Sequence, residues 1–451
     1  MRPQPKLHTD PAEAYGDLLV LALLAPIVGG ASGLIGALFR LALIAADRFR
    51  NVAITWAHGW NLVGFLCIVA SCGAAVAIAA WLVRRFSPYA AGSGIPQVEE
   101  ILNDELPPAP PRLLFVKFFG GLLAIGSGLA LGREGPSVQM GAAIAPVVGK
   151  LFRRNWHDCK VLIAAGAGAG LATAFNSPID GAVFVLEELM RRFETRAAIA
   201  ALGASAAAIA VARAFLGPAP DFQVQPLAYP GVKTWLLFAA LGAIAGLAAG
   251  LYNSALLGAL AAMDRLGRWP VEIRAAVIGA AIGALAWFAP GLVGGGDDIT
   301  QRTLAGGAPL VMLPLAFFLR FGLGAVSYAA PVPGGLFAPI LVLGTQLGLF
   351  FGILCRMALP DTNLDPVAFA VVGMAAFFTG VVQAPVTGIV LVIEMTGSFT
   401  MLLPMIAACF AAMLVPNLIG TAPIYDSLRE RTLRLQQTAI RPANARAENS
   451  H

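Results

Sequence analysis

The chain has 451 residues, 58% of them hydrophobic and 12% charged, with a mean hydropathy of +0.78. A soluble globular protein carries about 25% charged residues, so this composition points away from a soluble fold and toward a polytopic membrane protein in a lipid bilayer. The net charge of +5 is spread over loops, which speaks against a nucleic-acid partner and fits the excess of Lys and Arg in cytosolic loops.

Residues 1–15 read as a cytosolic segment. They are largely polar, and no short apolar region with a cleavage site follows them, so the first apolar run is expected to remain as a membrane helix. Six runs are free of Asp, Glu, Lys and Arg: Leu18–Phe39, Thr234–Met263, Ala275–Gly296, Phe321–Cys355, Val367–Ile393 and Met395–Tyr425. About 20 apolar residues span a bilayer as a helix. Runs of about thirty or more therefore hold several elements or one long tilted helix. Many apolar segments are instead cut by proline, at Pro96, Pro136, Pro178, Pro339 and Pro385. Broken helices survive at membrane depth only where protein or a water-filled cavity surrounds them, and in transporters they mark the binding site.

The chain repeats itself. Ser177–Glu187 (SPIDGAVFVLE) aligns without gaps on Ala384–Glu394 (APVTGIVLVIE), and Gly132–Gly141 aligns on Gly335–Gly344. The second alignment sets Glu134 against Phe337. Two matches in the same order predict two homologous membrane halves, residues 16–220 and 221–440, divided in the Pro-rich stretch GPAPDFQVQPLAYPG, with a short tail over 441–451. An inverted repeat would put the transported species near the midplane, between the halves.

Three segments share one design: Gly92-Ser93-Gly94-Ile95-Pro96, Gly132-Arg133-Glu134-Gly135-Pro136 and Gly335-Leu336-Phe337-Ala338-Pro339. Each has glycine followed by proline at the start of an apolar run. Proline in the first helical turn has no N–H to waste. Glycine lets backbone N–H groups turn toward one point. A helix N-terminus carries roughly half a positive charge, so several such ends form an anion site without a full cation. Such a site binds strongly enough to admit an ion and weakly enough to release it. The hydroxyls of Ser93 and Tyr425 suit it as neutral donors.

Glu134 stands out. Phe118–Gly132 before Arg133 and Gly135–Gly149 after Glu134 carry no charge. A carboxylate at the bilayer centre costs roughly 2.5–3.5 kcal/mol on insertion scales. Burial penalises the charge and converging helix ends favour it, so the two effects oppose. A static ion pair with Arg133 is the bland alternative, but adjacent residues on one helix start do not face each other well.

GSGIP, GREGP and GLFAP, in this order and spacing, resemble the filter signatures of the CLC chloride channels and transporters. FNSPIDGAVFVLEE, QAPVTGIVLVIEMTGSF and the tyrosine of APIYDSL resemble that family too. The resemblance covers about residues 16–440. It implies an all-α polytopic fold of two inverted-repeat halves with broken, re-entrant helices, assembled as a homodimer with one pore per subunit. It implies that chloride is held by the Ser93 and Tyr425 hydroxyls and the backbone amides of Leu336 and Phe337. It implies that Glu134 is the outer gate, filling an anion position when charged and swinging away when protonated. Glu188 would be the internal proton relay, an acid that exchangers of the family usually carry and passive channels usually lack. The bland reading of Glu188 is a solvated helix end beside Arg191 and Arg192. Serine at position 93 favours chloride, since relatives that favour nitrate tend to have proline there. The expected function is chloride/proton antiport across a cell membrane, in the multi-pass manner of a bacterial inner-membrane protein, with chloride and protons as cargo. The alternative is a passive voltage-gated chloride channel of the same family.

The repeat sets Glu187, not Glu188, against Glu394, so these two are expected to share a structural role such as capping a neighbouring helix. Asp180 occupies a place usually apolar in the family and reads as a surface residue near the subunit interface or a perturbation of it; Gln97 follows GSGIP where an acid is frequent. Cys67, Cys72, Cys159, Cys355 and Cys409 lack metal-ligand spacing, and His8, His58, His157 and His451 are dispersed. No metal or cofactor is expected, and no partner nucleophile supports an enzyme with Glu134 as base. Arg2, Lys6, Arg84, Arg85, Arg429, Arg431 and Arg434 are expected on the cytosolic side. Arg40, Arg48 and Arg50 then fall outside, against the rule.

Overall fold

The computed structural model describes residues 11–231, 234–307, 309–360 and 364–434, with side chains from Leu18 onward. Arg2, Lys6, His8, His451 and the tail 441–451 lie outside the described residues. The first eight helices are α1 (Pro11–Ala57), α2 (Asn61–Phe86), α3 (Ile95–Leu102), α4 (Arg112–Gly126), α5 (Glu134–Leu151), α6 (Trp156–Phe175), α7 (Pro178–Phe184) and α8 (Thr195–Leu216). The next eight are α9 (Trp235–Arg265), α10 (Val271–Phe288), α11 (Asp297–Leu304), α12 (Met312–Ala329), α13 (Phe337–Ala358), α14 (Pro366–Val382), α15 (Pro385–Thr396) and α16 (Leu402–Leu418). A last helix, α17, covers 424–434.

Eight helical stretches among the described residues are long and apolar enough to cross a membrane. Large apolar side chains such as Leu236, Phe288 and Leu418 remain exposed, as expected of a surface solvated by lipid. The uncharged runs resolve in both of the expected ways. Thr234–Met263 falls within one long helix, α9, whereas Phe321–Cys355 is divided between α12 and α13 by an irregular turn.

The first eight helices recur as the second eight. α1 packs on α6 and α8 as α9 packs on α14 and α16, and α5 packs on α6 as α13 packs on α14. The recurrence reaches single residues. At the α5–α6 crossing a Cβ on Gly141 would lie 2.1 Å from the Gly166 carbonyl oxygen, and at the α13–α14 crossing one on Gly344 would lie 2.4 Å from that of Gly373. Only glycine allows backbones so close, the usual device of membrane helix packing. Asn176 and Gln383 both end their helices with positive φ, 53° and 64°, just before the prolines that start α7 and α15.

The halves meet about a local two-fold axis. Gly132 and Gly335, equivalent in the repeat, exchange N–H···O bonds of 2.9 and 2.8 Å. The end of α1 lines one cavity and the end of α9 another. The repeat is thus inverted, and the helix starts of both halves converge on its middle.

Candidate ion pathway

The three glycine–proline segments come together. GSGIP starts α3, GREGP starts α5 and GLFAP starts α13. Besides the Gly132–Gly335 pair, Gly92 N donates to Val332 O (2.9 Å) and Gly334 N donates to Gly92 O (3.1 Å). Backbone bonds between segments far apart in sequence therefore fix where each helix begins.

Glu134 lies at this junction, fully buried. Its Oε1 accepts a 2.6 Å hydrogen bond from the backbone N–H of Phe337, the first residue of α13. Oε2 has no partner among the described residues. The glycines on either side make room: a Cβ on Gly132 would sit 2.0 Å from Oε2 and one on Gly335 2.1 Å from Oε1. The carboxyl group thus lies at the positive end of a helix from the opposite half, where a negative charge is favoured.

Ser93 and Tyr425 are buried beside it, and neither hydroxyl has a hydrogen-bond partner among the described residues. Ser93 presses on the α5 start, since a Cβ on Gly135 would lie 2.7 Å from its Oγ. Its backbone N–H donates to the Tyr328 hydroxyl at 3.3 Å. The Phe337 ring is walled by Phe175, Phe184, Phe378 and Tyr425. Two orphaned hydroxyls and one orphaned carboxylate oxygen in an apolar cage are costly, about 1–3 kcal/mol for each unsatisfied group. Such a set fits a site built to receive an anion.

Arg133 does not pair with Glu134. Its guanidinium donates to Ala174 O (2.8 Å), Asp221 (2.9 Å) and Asp297. Asp221 also pairs with Arg40 at 2.8 Å, so the Pro-rich linker is tied to α1 and to the α5 start. A cavity of about 310 Å³ opens here, lined by Arg40, Arg48, Arg50, Arg133, Asp297 and Arg302 among others. The arginines that looked misplaced in the sequence thus line one mouth beside Gly132. A second cavity, about 230 Å³, reaches Gly92 and Ser93 and is lined by Asp264, Arg274 and Arg431.

Glu188 sits in a π-turn over Val185–Leu189, where Met190 N reaches back to Val185 O (2.9 Å). A π-turn at a functional position is a recurrent device. Glu188 is buried, with one oxygen 3.6 Å from Arg191. It borders an open cavity shared with Glu187, Arg192, Phe193 and Gln383. It is therefore not a solvated helix end.

Glu187 and Glu394 cap each other's halves. Glu187 accepts from Val386 N (3.0 Å), Thr387 N (2.6 Å) and the Thr387 hydroxyl (2.7 Å). Glu394 accepts from Ile179 N (3.1 Å) and Asp180 N (2.9 Å). The surface position that was one of the two readings of Asp180 does not hold, since the residue is fully buried in the subunit. It follows Ile179 at the start of α7, where the side chain turns inward between helices.

The family described as "Voltage gated chloride channel" matches residues 75–417. The chain belongs to this CLC family. It is 38% identical over 418 residues to the H(+)/Cl(-) exchange transporter ClcA of Vibrio parahaemolyticus, covering 91% of this chain and 90% of that one. It is 38% identical over 434 residues to the ClcA of Vibrio cholerae, covering 94% and 92%. In structure it resembles a slow cyanobacterial Cl-/H+ antiporter, with a TM-score of 0.89 and 32% identity over 92% of this chain and 99% of that one. A eukaryotic CLC transporter shares the fold, with a TM-score of 0.78 at 24% identity over 91% of this chain and 74% of that one.

In this CLC chain the structure adds a fourth glycine segment that the sequence reading missed. Gly294-Gly295-Gly296-Asp297-Asp298 starts α11 as GSGIP starts α3, and Gly94 and Gly296 both have positive φ, 89° and 104°. An offset of 202 residues from GSGIP was the available signal. Two buried cations, Lys117 and Arg320, also went unremarked.

Proposed function

We propose that the protein is a chloride/proton antiporter, working as a homodimer with one pathway in each subunit. The reading is carried by one observation: the Glu134 carboxylate takes the Phe337 N–H at the start of α13. A chloride ion seeks the same donor. Ser93 and Tyr425 would add their hydroxyls, and the Leu336 amide would lie beside that of Phe337. A charged Glu134 then competes with chloride. Protonation removes the charge-assisted part of its hydrogen bond, worth about twice a neutral one. The side chain releases Phe337 N–H, and the anion takes its place. The carboxylate and the anion become alternatives on one donor, so that anion entry accompanies proton uptake.

Glu188 is proposed as the inner proton site, reached from the open cavity at Glu187 and Gln383. Names carried by relatives at 38% identity support exchange rather than passive conduction. Reconstitution in liposomes with an imposed chloride gradient tests this. Chloride movement should drive proton countermovement, and Glu188→Ala should move chloride while losing most of that countermovement. Chloride flux without any proton movement in the unmodified protein would leave the passive channel as the better reading.

A further inference from the structure

Lys117 and Arg320 are equivalent in the repeat, 203 residues apart, on α4 and α12. Both are buried, and neither makes a direct ion pair among the described residues, although the Asp297 carboxyl is near enough to Arg320 to act on its charge. Each instead holds backbone carbonyls of the glycine segment in its own half. Lys117 Nζ donates to Gly92 O (2.8 Å) and Ser93 O (3.1 Å). Arg320 donates to Gly294 O (2.8 Å) and Gly295 O (3.0 Å), the matching pair, and also to Leu292 O (3.2 Å).

A peptide plane carries its N–H and C=O in opposite directions. Holding the carbonyls of residues 92 and 93 therefore fixes the planes on both sides of Ser93. The Ser93 N–H is left facing Tyr328, and both carbonyl dipoles, which would repel an anion, are turned onto the amine. Without Lys117 the Gly92 carbonyl would keep the Gly334 N–H, but the buried Ser93 carbonyl would lose its donor at a cost in free energy, and the segment would twist to find another. We propose that Lys117 is a positioning residue: it clamps the Gly92 and Ser93 carbonyls so that the Ser93 hydroxyl faces the anion, as Arg320 clamps the equivalent loop at the other mouth.

The inference rests on the anion site proposed above. It is tested by calorimetric chloride binding and liposome exchange on the full-length protein with Lys117→Met, Lys117→Gln and Lys117→Arg. The methionine variant should bind chloride about tenfold more weakly, the loss expected for hydrogen bonds made by a charged donor. Its maximal exchange rate and its proton-to-chloride ratio should stay near those of the unmodified protein, a split that general destabilisation would not give. Lys117→Arg should bind like the unmodified protein, because the other half already uses arginine in this place. If the methionine variant does not fold, Lys117→Gln, with N–H donors but no charge, should show a smaller loss of affinity in the same direction. Unchanged chloride affinity in the Met or Gln variant, or a loss in Lys117→Arg equal to that in Lys117→Met, overturns the clamp. Absence of chloride binding to the unmodified protein would instead remove the anion site on which it rests.

Discussion

Replacing Gly132 with alanine tests whether Glu134 competes with the anion without touching either acid. The new Cβ would lie 2.0 Å from Oε2 and 2.3 Å from Oε1 of Glu134, and the nearest heavy atoms are all in that carboxylate. Ordinary contact begins near 3.4 Å. The carboxylate must therefore retreat by about 1.4 Å, enough to break its 2.6 Å bond to Phe337 N. Gly132 does not have positive φ, so alanine adds no backbone strain. Loss of a hydrogen bond to a charged group is worth about 1.5–3 kcal/mol, or roughly 10- to 150-fold in the balance between blocked and open sites. Gly132→Ala should free the Phe337 N–H of its competitor, and because the same methyl crowds an ion seated on that N–H, chloride affinity should rise by less than this factor. In liposomes under a chloride gradient it should carry chloride with a lowered proton ratio. A variant that keeps both the chloride affinity and the proton ratio of the unmodified protein would refute the competition.

The caps give an ordered pair of expectations. Glu187→Ala removes three hydrogen bonds at the start of α15 and should lower the thermal midpoint in detergent more than Glu394→Ala, which loses the Ile179 and Asp180 amides; the reverse order would contradict the geometry. Asp180→Thr should stabilise the subunit by about 1 kcal/mol, since it replaces an unpartnered buried carboxyl with the hydroxyl that Thr387 uses at the equivalent place; a lowered midpoint would contradict the reading of Asp180 as unsatisfied. In the loop between α3 and α4, hydrogen bonds from Lys160 and Trp156 hold the Asp104 carboxyl below its ordinary range. Its stabilisation is present above about pH 4 and is lost as acid protonates it. Asp104→Asn should therefore flatten the acid limb of a stability–pH profile, and an unchanged limb would exclude that contribution.

The membrane class, the broken helices and the repeat were legible because each leaves a mark in one dimension: uncharged runs, prolines after glycines, and a nearly constant offset. The reciprocal caps were legible too, since the alignment paired Glu187 with Glu394 before either had a partner. Lys117 and Arg320 were not, because a single cation in an apolar run looks like a loop end until its carbonyl partners are known. The acids of the arginine-lined mouth were missed for a similar reason. Arg133 is held by Asp221 and Asp297, which lie 88 and 164 residues away, and no local spacing announces such a pairing. Asp180 misled because aspartate is seldom buried without a partner.

The two-fold frame makes the remaining differences informative. Equivalent backbones occur on both sides of the axis, so a side chain present in one half alone is not required by the shared frame. Glu134 faces Phe337 across the Gly132–Gly335 pair, and only the first can take up a proton. Ser93 corresponds to Gly295, so one mouth has a hydroxyl for an anion and the other does not. Arg133 corresponds to Leu336, which puts a guanidinium, paired with Asp221 and Asp297, at the mouth that lacks the hydroxyl. An anion arriving at the arginine-lined cavity meets five arginines interleaved with Asp47, Asp297 and Asp298. One arriving at Ser93 meets neutral donors and helix ends, from which it can also leave. The inverted scaffold supplies two similar approaches, and these three substitutions give them different chemistry, with the only protonatable member of the three pairs at the junction between them.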